Sequence, residues 1–200
     1  MDAYNPCLLA PGPRDADDAP RRSITVHGAG PTPPAQAADA PFSTSLDSEM
    51  DYDGIFSVVR KAVRYAINRE RSGLGLILSD LPPALGAFWE VGGNYIVLNE
   101  SLVDAMRAMS SSTREFNSYV FVVLAHEYLH SIGYIDEGEV RKVTFSVISK
   151  AMGASHPATA MAGGDLWQLY PFLRFASHTG GRGARVVGKF DTESTRSYIW

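Results

Sequence analysis

His126 and His130 are four residues apart, and Glu127 directly follows the first of them. Residues with this spacing lie one turn apart on the same face of a helix, so both imidazoles can reach one ion. Zinc accepts imidazole nitrogen at about 2.0–2.1 Å. Glu127 projects toward the same cavity without having to be a ligand, and there it can take a proton from a bound water. The pattern predicts a zinc site with Glu127 as general base and then general acid.

The residues around this pattern are apolar. Apart from Glu127, no Asp, Glu, Lys or Arg occurs between Ser118 and Ile135, which predicts a buried helix. Two histidines and a carboxylate are costly inside an apolar helix unless something binds them. A metal ion removes that cost and therefore favours a zinc site over a pair of hydrogen-bonded core histidines.

Composition limits the possible ligands and partners. The chain has 200 residues and one cysteine, Cys7, so a metal must use His, Asp or Glu. The formal net charge is -4. All of it falls in the first 50 residues, and the remainder is neutral, which argues against nucleic acid as a partner. Neither a signal peptide nor an apolar run that could span a bilayer is evident, so the sequence predicts a cytoplasmic protein with no membrane partner.

Several elements must position the pattern. Apolar residues at helical spacing predict an amphipathic helix from about Ile55, ending near Gly73. Capping patterns predict three further helices, which begin at Ser101, Ser112 and Asp136. The helix from Ser112 carries the histidines. Three segments read as short strands, the last two joined by a Gly-Gly-Asn turn: Leu74–Leu78, Ala87–Val91 and Tyr95–Leu98.

This combination resembles the zincin metallopeptidases. The resemblance is carried by the His-Glu-x-x-His motif in an uncharged setting and by the order helix, strands, motif helix, second helix, over about residues 50–175. It implies an α+β fold in which a small mixed sheet packs on helices around a buried active-site helix. It also implies an edge strand that binds extended substrate, and Tyr95 and Val97 stand in the corresponding place.

A catalytic zinc needs a third protein ligand, and three residues are candidates. Asp136 is the first choice, because His126 to Asp136 resembles the extended metzincin motif, with Met161 as a possible methionine turn. Glu137 is the gluzincin-like alternative, at the start of the second helix. His156 is a good ligand type, but it follows that helix and the chain must fold back to return it.

The predicted organisation has three parts. Residues 1–47 form a disordered arm rich in proline and alanine, 48–178 the catalytic domain, and 179–200 a glycine-rich tail. The predicted activity is hydrolysis of peptide bonds by zinc-activated water, with a peptide or protein as substrate. The alternatives are a metal-dependent hydrolase of another substrate such as RNA, and a non-catalytic binding module stabilised by zinc. The oligomeric state is not predicted.

Overall fold

The computed structural model describes residues 4–8, 40–176 and 182–195. Within these ranges the chain is mixed α and β, as predicted. The elements in chain order are β1 Tyr4–Leu8, α1 Tyr52–Ile67, β2 Gly75–Ser79, β3 Leu85–Glu90, β4 Tyr95–Asn99, α2 Glu100–Met109, α3 Thr113–Ser131, α4 Glu137–Met152, α5 Pro157–Gly163, α6 Leu166–Leu169, a 3-10 helix Pro171–Phe175, β5 Arg185–Val186 and α7 Thr192–Thr195.

Helix α3 lies at the centre of the fold. Every residue from Phe116 to Ser131 is buried. The helix contacts α1, α4 and α5 as well as strands β3 and β4. A helix that is apolar on all faces has no side suited to water, so it is stable only when other elements surround it. The prediction of a buried helix around the histidines is confirmed.

The strands form one five-stranded sheet in the order β1-β3-β4-β2-β5. Strands β2 and β4 are parallel, and the other neighbouring pairs are antiparallel. The predicted hairpin between β3 and β4 is confirmed. Strand β4, however, lies between β3 and β2. The expectation that β4 is a substrate-binding edge is therefore wrong, because both of its backbone edges already pair with neighbouring strands.

Local capping explains where the site helices begin. The Ser112 hydroxyl accepts a hydrogen bond from the Glu115 amide at 3.2 Å, and the Asp136 carboxylate accepts one from the Glu139 amide at 2.8 Å. Each contact satisfies an amide that has no partner within its own helix. Both predicted helix starts are confirmed, and the cap at Asp136 marks the end of the short link between α3 and α4.

The folded region extends beyond both predicted boundaries. Leu46 is fully buried, and its backbone oxygen accepts a hydrogen bond from the Asn117 side chain at 3.0 Å. Within the predicted tail, Arg185 donates to the Glu100 carboxylate at 2.7 Å, and the buried Asp191 pairs with Arg60 at 2.9 Å. These contacts place residues on either side of 48–178 within the packed structure. Residues 1–3, 9–39, 177–181 and 196–200 of the predicted arm, domain and tail lie outside the described residues.

No helix in the described part of the chain is both long enough and apolar enough to cross a membrane.

Candidate metal centre

His126 and His130 project from the same face of α3. Their Nε2 atoms are 3.1 Å apart, and both side chains are buried. Two imidazole nitrogens that share a tetrahedral ion at about 2.0–2.1 Å lie about 3.3 Å apart. The observed separation is close to that value, so the helix holds the two rings in a geometry that fits one shared ion.

The third member of the cluster is Glu137, in the first turn of α4. Its carboxylate oxygens lie 3.4 Å from Nε2 of His126 and 3.3 Å from Nε2 of His130. One donor atom from each of the three residues falls within 4.8 Å of the other two. Two imidazoles and one carboxylate suit a divalent transition-metal ion, so the donor set fits the predicted type of cofactor.

The ring of His130 is held by the chain that links the two helices. Its Nδ1 lies 2.7 Å from the backbone oxygen of Tyr134. A carbonyl only accepts hydrogen bonds, so Nδ1 carries a proton, and Nε2 is the ring nitrogen that faces the cluster. Such a contact to the far nitrogen of a ligating histidine fixes its tautomer and orientation.

The charges of the cluster also favour a cation. Burial lowers the pKa of His126, which keeps its imidazole neutral near pH 7. Burial raises the pKa of Glu137, but its contacts with the two imidazoles outweigh that effect and hold the pKa at about 2. The cluster therefore combines a neutral imidazole at His126 with a carboxylate anion at Glu137, the protonation states that bind a metal. Arg141 lies 3.5 Å from the same carboxylate, one helical turn along α4.

The structure does not bring the first-choice third ligand, Asp136, into the cluster. Its carboxylate is the N-cap of α4, and the backbone at this residue is extended. In the predicted metzincin pattern Asp136 would turn back to the metal. Because α4 begins immediately after it, the residue that faces His130 is Glu137 instead. Of the three candidate ligands, Glu137, the gluzincin-like alternative, is therefore the one that lies beside both histidines.

His156 is also outside the cluster. It is buried at the N-terminus of α5, where its Nδ1 accepts a hydrogen bond from the Ala158 amide at 3.1 Å. Met161 is buried on the same helix as part of the core. Both residues have structural roles in the described part of the chain.

Glu127 is fully buried and follows His126 on α3, so its carboxylate belongs to the interior of the fold. The other predicted site residues lie on β4. Tyr95 is about half exposed, and Val97 pairs with Ile77 and Phe88 on the neighbouring strands. Val97 therefore has a neighbouring strand on each side, and Tyr95 pairs with Gly75 of β2.

Two arginines that the sequence did not single out hold the end of α3. Arg69 donates to the backbone oxygen of Ile132 at 2.7 Å, and Arg71 donates to that of Ser131 at 3.0 Å. Terminal carbonyls of a helix have no partner within the helix and carry partial negative charge, which cations stabilise. The only sequence signal for this role was the basic stretch before Gly73. Basic residues are common at helix ends exposed to solvent, so that stretch did not single out these two arginines.

Comparison with known proteins assigns the chain to no family, because no protein-family profile, curated protein or solved structure matches it.

Proposed function

We propose that the chain is a zinc-dependent metallopeptidase of the zincin type, with His126, His130 and Glu137 as the metal ligands. The observation that supports this most directly is the convergence of these three side chains on one point, with Nε2–Nε2 and Nε2–carboxylate separations of 3.1–3.4 Å. A glutamate from the second helix as third ligand resembles the gluzincin arrangement.

Three protein ligands suit catalysis better than a purely structural role. Structural zinc sites are usually closed by four ligands, often cysteines, whereas catalytic sites leave one position for water or substrate. The cluster found among the described residues has three members and contains no cysteine. Within this proposal, zinc supplies polarisation of the scissile carbonyl and acidification of water.

Each residue of the chain then has a separate task. The two imidazoles and Glu137 hold the ion, and the Tyr134 carbonyl keeps the proton of His130 on Nδ1, away from the metal. Glu127 accepts a proton from the attacking water at its carboxylate and passes that proton to the leaving amine nitrogen. Burial of α3 limits the access of bulk water to these groups.

The test combines zinc content with turnover of a peptide mixture. We expect about one zinc per chain for the wild type and for Glu127→Gln, because Glu127 is not a ligand. Glu127→Gln should lose at least about a hundredfold in kcat/KM, the usual contribution of a general base. A circular dichroism melt of the variant checks that it is folded. Full activity in Glu127→Gln would sink this mechanism, and zinc without any peptide hydrolysis in the wild type would favour the zinc-stabilised binding module.

A further inference from the structure

The sheet offers few places where a peptide could be added as a strand. Strand β4 is paired on both sides, and the outer edge of β2 pairs with β5. The remaining outer edge in the described sheet beside α3 is that of β3. This edge is covered by β1, which comes from the N-terminal segment of the same chain.

The Glu90 end of β3 lies close to the end of α3 that carries His130. Arg71 donates both to the backbone oxygen of Ser131, next to His130, and to that of Gly93 at 2.8 Å. Gly93 follows β3 in the turn to β4, so the turn and the end of α3 are neighbours. At this end of the sheet, Glu90 of β3 pairs with Tyr4 of β1. Strand β1 also contacts α3 itself.

Strand β1 pairs with β3 as an added extended peptide would. Residues 4–8 run antiparallel to β3, from Tyr4 opposite Glu90 to Leu8 opposite Leu85, with a register shift after Cys7. Pro6 has no amide proton, so it is suited to an outermost strand. In an antiparallel strand every second residue bonds to the same neighbour. With Pro6 on the outer side, the backbone amides that donate to β3 are therefore those of Asn5 and Cys7. The pairing is thus carried by backbone groups that another peptide could supply.

We propose that β1 is an autoinhibitory strand, in which residues 4–8 occupy the backbone edge of β3 that an extended peptide substrate must pair with. This inference rests on the proposed peptidase function. In the resting chain this edge, at the end of α3 that carries His130, is filled from within, at the high effective concentration of a tethered segment. A substrate can pair with the backbone edge of β3 only after β1 has dissociated from that edge. Loss of the pairing between β1 and β3 therefore activates the enzyme.

The test uses the full chain with a double variant, Asn5→Pro/Cys7→Pro, which removes two backbone donors from β1. Its matched control is Asn5→Ala/Cys7→Ala, which loses the same side chains, including the thiol, but keeps the donors. We expect the proline variant to show at least about tenfold faster hydrogen exchange at the β3 amides. Its kcat/KM for peptides should rise by a similar factor, while the alanine variant should match the wild type in both measurements.

A synthetic peptide of residues 1–10, added to the proline variant, should restore protection of the β3 amides and inhibit hydrolysis competitively. The same peptide with proline at positions 5 and 7 should do neither. Unchanged β3 exchange in the proline variant, or failure of the peptide to rebind, would overturn the proposal. So would loss of protection throughout α3, because β1 would then be part of the core. If exchange and rebinding behave as expected but no form of the protein hydrolyses peptides, the proposed peptidase function fails and the competition at the β3 edge stands.

Discussion

The two acidic residues at the start of α4 have different roles although they are only one position apart. Asp136 and Glu137 are adjacent and both acidic, yet the first caps the helix and the second faces the two histidines. An N-cap residue has extended backbone, and its side chain bonds to an amide of its own helix. The next residue is the first with helical backbone, and its side chain is free to point toward α3.

This division of roles predicts different outcomes for the two acids. We expect Glu137→Ala to lose bound zinc, because only two ligands remain. Asp136→Ala should retain about one zinc per chain but lower the free energy of unfolding by about 0.5–2 kcal/mol, the usual cost of losing a cap. Elemental analysis and denaturant unfolding measure the two effects. Retention of zinc by Glu137→Ala would contradict the ligand assignment, and its loss from Asp136→Ala would restore the metzincin pattern.

At the scale of the element, α3 is held at its C-terminal end by the segment that follows α1. The Tyr128 hydroxyl accepts a hydrogen bond from the Arg71 amide at 2.7 Å and donates one to the Arg71 backbone oxygen at 3.1 Å. Its buried ring meets Phe56 of α1 edge to face at 5.4 Å. Tyr128 lies between the two histidines in sequence but points to the opposite side of the site helix, where it anchors the loop that carries Arg69 and Arg71.

Removal of this hydroxyl should destabilise the fold without removing a metal ligand. Tyr128→Phe leaves the amide and the carbonyl of Arg71 without this side-chain partner, so we expect the free energy of unfolding to fall by about 1–3 kcal/mol. The half-exposed Tyr95 is the matched control, and Tyr95→Phe should stay within about 0.5 kcal/mol of the wild type. Urea unfolding measures both variants. Equal stability of the two would show that the Arg71 contact contributes nothing.

At the scale of the whole molecule, His156 joins the N-terminus of α5 to the region around the Arg114–Asp47 ion pair. Burial lowers the pKa of His156, with the positive charge of Arg114 acting in the same direction and Asp47 opposing it. Its Nδ1 accepts a hydrogen bond from the Ala158 amide, which requires that this nitrogen carry no proton, so the folded protein holds the ring neutral. Protonation is therefore easier in the unfolded chain than in the folded one.

The sign of the pH dependence follows from this difference. The neutral His156 ring makes its full contribution to the free energy of unfolding at pH values above the pKa of histidine in the unfolded chain, about 6.5. As the pH falls below that value the contribution is lost, by at most about 1.4 kcal/mol per pH unit for one proton. His156→Asn keeps a cap acceptor but does not titrate, so we expect its stability to fall less steeply between about pH 7 and 5. Effects of the metal cluster are common to both proteins. Parallel slopes for the two in urea unfolding would contradict the assignment to His156.

The sequence alone determined the features that depend on neighbouring residues. The helix starts at Ser112 and Asp136 follow from side chains that bond three residues along, and the spacing of His126 and His130 places both rings on one face of any helix that forms there. The uncharged stretch around Glu127 was enough to predict a buried helix. Local chemistry fixes such features whatever the rest of the chain does.

Only the tertiary structure decided how separate segments meet. The choice of Glu137 over Asp136 and His156 depends on the angle at which α4 leaves α3, and that angle is set by packing and by the link through Tyr134. The position of β4 inside the sheet depends on its parallel pairing with β2, a strand that comes before β3 in the chain. Strand pairing is a contact between distant residues, and neither propensity nor periodicity within one segment specifies its partner.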